Sequence, residues 1–317
     1  MPDHEHTLQC MEVWGGNQAV DSSVHLAGLD AWVYSKPYQE EDGGGDVYYV
    51  SSCATGRITR LLVADVAGHG NAVAELAVAL RKLMRQHVNH LDQVKFVQRM
   101  NEALVEQSKV GSFATAVVTT FFAPTRSLSL CNAGHPPPLI YRANERAWSY
   151  VEHTASPSVD LADVPLGIVG LADYQQFDVT LEPDDLVVCY TDSLPEARLG
   201  DGELLGMEGL LSVANQVTVD APTTLIPRLV GAIETHCGRP IAGDDVTLLL
   251  FKPNMTTARV GIKDRLLSPW RVTKGAIASL ARREWKLPLP DLNVANLLGT
   301  MFPALEKRRK NWQKRSS

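Results

Sequence analysis

Residues 43–70, GGGDVYYVSSCATGRITRLLVADVAGHG, constrain this chain more than any other stretch. Residues 47–50 and 58–64 are short apolar runs rich in β-branched and aromatic side chains, and a polar stretch at 51–56 separates them. That pattern predicts a hairpin. A hairpin of this length folds Asp65 back beside Asp46. Two carboxylates brought together repel unless a cation or a proton sits between them. The glycines flanking both let backbone and ligand approach closely. The stretch therefore reads as half of a metal site.

The rest of the chain supplies short strands and a few helices. Residues 1–10 read as a loose arm, 11–23 show little periodicity, and 27–34 (AGLDAWVY) read as a strand. Residues 71–88 are rich in Ala and Leu, with Val73, Leu76, Ala77, Leu80, Leu83 and Met84 at helical spacing. Asn71 is a fitting N-cap. A second helix is predicted over 91–107. Strands are predicted over 113–122, 127–132, 139–141, 177–181, 185–190 and 246–251, and helices over 207–217 and 222–237. The span 143–165 reads as loop. Strands and helices do not alternate regularly, which argues against a doubly wound parallel sheet. The expected class is α+β, with antiparallel sheets covered by helices.

Composition excludes several classes. No run approaches the roughly 18 apolar residues of a membrane span, and the N-terminus has neither the basic start nor the apolar core of a signal peptide. The five scattered cysteines include no CxxC, which argues against a disulfide framework or a zinc site and for a reducing cytoplasm. The net charge of −6 conceals an asymmetry: residues 253–317 hold 14 Lys/Arg and 4 Asp/Glu, a net of +10, and leave −16 on 1–252. Three segments are expected: an arm at 1–10, a globular domain at 11–252 and a basic extension at 253–317.

The acidic residues share a pattern. Asp46 precedes a predicted strand, Asp65 ends one, Asp192 ends another, and Asp244 and Asp245 open the last. Strand ends on one rim of a sheet converge even when far apart in sequence. Oxygen-only ligands suit hard cations, Mg2+ or Mn2+. Two such ions bind a bridging water, lower its pKa and clamp a phosphate oxygen. This pattern points to hydrolysis at phosphorus. Each piece alone is weak, because a single Asp at a strand end is usually a turn residue.

GGGDVYY, LLVADVAGHGNAVAELA, FATAVVTTFF, LCNAGHPPPLIYR, PLGI, LEPDDLVVCYTDSLPEA and GDDVTLLLF occur in one order. Together they resemble the SpoIIE/RsbU-type branch of the metal-dependent protein phosphatase 2C family, over about residues 11–252. The resemblance implies an αββα sandwich of two antiparallel sheets flanked by helices. It implies phosphoserine/phosphothreonine protein hydrolysis at two Mn2+ or Mg2+ ions, with a third, weaker ion near Glu196. By resemblance, Asp65 is the ligand shared by both ions and the Val66 carbonyl a further contact. Asp46, Asp192 and Asp244 match the other motif acids. Asp245 is adjacent to Asp244, and the two roles are interchangeable at this level. Glu196 reads equally well as a first-turn helix charge.

His69 and His135 are candidates for the acid that protonates the leaving serine oxygen. A structural role in a Gly- or Pro-rich turn competes for both; His69 is preferred because its loop carries Asp65. Ser193 stands where the family usually has Gly. If that backbone needs positive φ, Ser strains it or shifts Asp192. No Arg lies near Asp46 in sequence to clamp phosphate, which suggests that the partner protein helps to place it. The resemblance implies a phosphorylated anti-anti-sigma (STAS-type) substrate in a partner-switching pathway. No sensor domain precedes the motifs, which leaves control to an activating protein partner, a homodimer or the tail. The helix at 71–88 follows the metal loop and is the natural lever. The basic tail reads as a solvated extension or as docking on an acidic surface; nucleic acid is disfavoured beside an acidic domain. The alternative to an enzyme is a pseudophosphatase that binds a phosphoprotein as a signalling scaffold.

Overall fold

A computed structural model of the chain describes residues 4–38, 43–53, 55–67, 71–86, 88, 92–107, 113–151, 164–170, 172–241, 243–254 and 256. The elements in order are β1 (His4–Thr7), β2 (Val13–Gly16), β3 (Val20–Leu26), β4 (Leu29–Lys36), β5 (Asp46–Ser52), β6 (Ile58–Val66), α1 (Asn71–Gln86), α2 (Gln93–Gln107), β7 (Ala114–Phe122), β8 (Ser127–Ala133), β9 (Leu139–Arg142), β10 (Ala147–Tyr150), β11 (Gln176–Thr180), β12 (Leu186–Tyr190), α3 (Gly206–Gln216), α4 (Pro222–Cys237) and β13 (Val246–Pro253).

They form two sheets. One has seven strands in the order β1-β3-β4-β13-β12-β9-β10, the other six in the order β11-β8-β7-β6-β5-β2. Every pairing is antiparallel except β1 with β3. α1 and α2 cover the six-stranded sheet, and α3 and α4 the seven-stranded one. The expected α+β class and the αββα sandwich are both realised.

Strand alternation builds three apolar layers. In β6, Leu62, Ala64 and Val66 face α1 and α2, while Leu61 and Val63 face the other sheet. In β13, Leu249 and Phe251 face between the sheets, while Leu248 and Leu250 meet α3 and α4. Both faces of these strands are covered, which is why their sequences read as continuous apolar runs.

Some expectations need correction. Residues 4–7, expected within a loose arm, form β1, held by parallel pairing to β3. Residues 11–23, which show little periodicity, contain β2 and most of β3. Their glycines and serines mask the alternation, yet Ser22 and Ser23 are buried. The span read as loop contains β10, paired with β9. The basic extension lies almost wholly outside the described residues.

Candidate metal centre

The hairpin forms as its sequence requires. β5 and β6 pair in a register that sets Asp46 directly opposite Asp65. Asp46 is in phase with Tyr48 and Val50, and Asp65 with Leu61 and Val63, so both continue the face between the sheets. That face is apolar along most of its length and turns polar at one rim. The six-stranded sheet contributes Asp46, Asp65 and Thr115, which stands opposite Asp65 on β7. The seven-stranded sheet contributes Ser35, Thr191, Asp245 and Thr247.

Two of the rim carboxylates are satisfied by the protein itself. Asp46 is buried, and its Oδ2 accepts a 2.8 Å hydrogen bond from the Thr191 hydroxyl. The Thr247 amide donates to Thr191 Oγ1 at 3.1 Å. Burial raises the Asp46 pKa well above the ordinary range, and these hydroxyls oppose the shift. Asp245, also buried, accepts from the amides of Tyr38 (2.6 Å), Gly45 and Asp46 (3.2 Å). It fastens the 43–46 loop to the start of β13. A Cβ on Gly44 would fall on the Asp245 carboxylate, so a side chain is excluded there.

The other acids crowd Asp65. Its pKa is pushed up to about 7, by burial first and then by Asp192, Asp244, Asp245 and Glu196. Burial, Glu196 and Asp244 also raise that of Asp192. Glu196 is exposed one turn after Asp192, and its amide donates to the Asp192 carbonyl at 2.9 Å. Asp244 is exposed, and its carboxylate accepts from the Asp245 amide.

The oxygens also gather beside Gly45. The point its Cβ would occupy lies 3.1 Å from the Val66 carbonyl, 3.4 Å from Asp245 Oδ2 and 3.6 Å from Asp65 Oδ1. An all-oxygen set with an unbalanced negative charge fits a hard divalent cation. Among the described residues, no three Asp, Glu, His or Cys side chains form a ready cage for one ion. The reason is partly visible: Asp46 and Asp245 spend oxygens on hydroxyls and amides. Mg2+-type ions characteristically complete their shells with water.

The histidines separate. His69 lies outside the described residues. His135 is buried, its Nδ1 is 2.8 Å from Thr115 Oγ1 and its Nε2 is 3.0 Å from the Tyr190 carbonyl. Burial pushes its pKa down to about 4, so it is a neutral structural group. Ser193 does not take a positive φ, so no backbone strain falls on the residue after Asp192. Among the described residues its buried hydroxyl has no hydrogen-bond partner.

Sequence reasoning missed the hydroxyls of Thr115, Thr191 and Thr247 and the latch role of Asp245. The available signal was phase. Asp245 and Thr247 alternate with Leu249 and Phe251 on one face, and Asp244 does not.

A family model described as Stage II sporulation protein E (SpoIIE) matches residues 55–254. Solved structures share the fold. The RsbU and RsbW domains of Rv1364c from Mycobacterium tuberculosis superpose with a TM-score of 0.57 at 24% identity, over 81% of this chain and 70% of that one. The phosphatase domain of the cell-fate determinant SpoIIE from Bacillus subtilis gives 0.53 at 15%, over 74% and 96%. RsbX in complex with magnesium gives 0.53 at 16%, over 74% and 100%. The motif order, the two-sheet sandwich and a family match over more than half of the sequence agree: this chain belongs to the SpoIIE family, the SpoIIE/RsbU-type branch of the metal-dependent protein phosphatases 2C.

Proposed function

We propose that this protein is a Mn2+- or Mg2+-dependent phosphoserine/phosphothreonine protein phosphatase. The observation that carries the reading is Asp65 at the rim between the sheets, set opposite Asp46 and lying in the charge field of Asp192, Asp244, Asp245 and Glu196. Asp65, the Val66 carbonyl, Asp192 and Asp244 would hold two ions, with Glu196 placed for a third. Asp244 is preferred to Asp245 because Asp245 is taken up by three amides. Asp46 stands across from Asp65 and fixes its surroundings through Thr191. When bound, the cations supply a water of lowered pKa and neutralise charge on the phosphoryl oxygens.

The chain's own groups then have defined work. The β5–β6 register fixes Asp65. The Asp245 latch holds the glycine loop open beside it. His69 is the assigned proton donor to the leaving serine oxygen, and the neutral His135 is not. The SpoIIE/RsbU resemblance of the motifs implies a phosphorylated STAS-type regulator as substrate, in a partner-switching system with a separate activating protein. The segments 11–252 and 253–317 are assigned as phosphatase domain and basic extension; the match to 55–254 supports that boundary. Among the described residues no helix is long and apolar enough to cross a membrane, and the cytoplasm is the proposed location.

The scaffold alternative drew on Ser193, and the absence of positive φ there removes that support. The test is hydrolysis of a phosphoserine peptide by wild type and Asp65→Ala, with Mn2+ and with chelator. Metal-dependent turnover lost in the variant is expected. No turnover and no Mn2+ binding by the wild type would leave the scaffold.

A further inference from the structure

We propose that His135 is a positioning residue that sets the separation of Asp65 and Asp192 by tying the two sheets together at the rim. The inference rests on the proposed metal site.

The connection is continuous. Asp65 on β6 stands opposite Thr115 on β7. Thr115 Oγ1 is 2.8 Å from His135 Nδ1, and His135 Nε2 is 3.0 Å from the carbonyl of Tyr190. Tyr190 ends β12, two residues before Asp192. A carbonyl only accepts, so Nε2 carries the ring proton, and Nδ1 of the neutral ring accepts from the Thr115 hydroxyl. One imidazole thus joins a residue beside Asp65 to a residue beside Asp192, from one sheet to the other.

The ring itself is held on several sides. Asn132 closes the turn before it: its Oδ1 accepts from the His135 amide at 2.8 Å, and its Nδ2 donates to the His135 carbonyl at 2.7 Å. Gly134 has φ +68°, and a Cβ there would lie 2.6 Å from Pro165, so the turn admits glycine. The Tyr190 hydroxyl donates to the Pro137 carbonyl at 3.0 Å, so Tyr190 is bonded to this loop at both ends. A link this constrained between two sheets is a distance gauge. Without it, the spacing of the repelling carboxylates of Asp65 and Asp192 is left to the links through Thr191 and Asp245.

The test is Mn2+ titration of the full chain by calorimetry near neutral pH, with thermal unfolding in chelator as the fold control. The variants are Thr115→Val, His135→Ala, His135→Gln and Thr115→Val/His135→Ala. Groups that orient ligands from behind typically change metal affinity by about 10–100-fold, and that loss is expected for Thr115→Val and His135→Ala. Gln can donate to Tyr190 and accept from Thr115, so it should recover part of the affinity. The double variant should be no weaker than His135→Ala, because both changes cut one link. Thr115→Val is nearly isosteric, so it reports even if His135→Ala does not fold. Folded variants with wild-type Mn2+ affinity, or independent losses in the double variant, would overturn the proposal. A wild type that binds no Mn2+ would overturn the metal site and this inference with it.

Discussion

Replacing Asp65 with Asn should stabilise the metal-free protein while removing metal-dependent function. The carboxylate has a pKa raised from 3.8 to about 7 by burial and four neighbouring acids. An acid whose folded pKa is raised destabilises the fold as pH rises from its unfolded pKa through the folded one. At about pH 7 the linkage amounts to about 4 kcal/mol, and solvent screening of a partly exposed carboxylate reduces this to roughly 2 kcal/mol. At about pH 5 less than half of it remains, because the folded carboxyl is then protonated. Urea unfolding in chelator at the two pH values measures the difference: Asp65→Asn should exceed wild type at the higher pH and approach it at the lower. Added Mn2+ should reverse the order, since an ion at about a hundred times its Kd stabilises the binder by about 2.7 kcal/mol. A variant less stable than wild type in chelator, or an advantage independent of pH, would refute the electrostatic account of the site.

Four further outcomes follow from the same rim. Asp245→Ala leaves the amides of Tyr38, Gly45 and Asp46 without their acceptor and should lower stability by about 3 kcal/mol, whereas Asp244→Asn should raise that of the metal-free protein; paired denaturant curves decide. His135 binds its proton at about 4 when folded and near 6.5 when unfolded, so about 3 kcal/mol of stability should be lost as pH falls across that window; the difference between wild type and His135→Gln isolates it, and a flat difference would count against a buried neutral ring. Ser193→Ala removes a buried hydroxyl that has no partner among the described residues and should gain about 1 kcal/mol in thermal stability; a loss would mean that the hydroxyl is bonded.

The hairpin was legible because β5 and β6 are buried on both faces and their middles, residues 47–50 and 61–64, are continuous apolar runs. Helix α1 was legible from its Ala- and Leu-rich composition and from the spacing of Val73, Leu76, Ala77, Leu80 and Met84, all of which are buried, and the position of α2 was legible to within two residues. β1, β2 and β3 were not, because backbone pairing holds strands whose side chains include His, Gly and Ser. Pairing leaves no mark in composition. The acids were legible as strand ends, but the hydroxyls were not. A single Thr in a strand is ordinary, and only the register that sets Thr115 beside Asp65, or Thr191 within reach of Asp46, gives it a role.

Asp244 and Asp245 show how one rim can hold both kinds of acid. Neighbouring residues entering a strand point to opposite sides. Asp245 falls in phase with Thr247 and points between the sheets, where loop amides compensate its charge. Asp244 falls out of phase, stays exposed and adds its charge to the field on Asp65 and Asp192. Hydrogen bonds to loop amides and to the Thr191 hydroxyl make Asp245 and Asp46 the carboxylates that hold the rim together, although Asp245 also adds to the charge on Asp65. Asp65, Asp192, Asp244 and Glu196 form a second group that repels across the rim. The second is destabilising on its own, and an arrangement that concentrates negative charge around Asp65 is one that a divalent cation relieves. The same repulsion makes cross-sheet links necessary, and the hydroxyl, imidazole and amide links at Thr191, His135 and Asp245 are where the protein provides them.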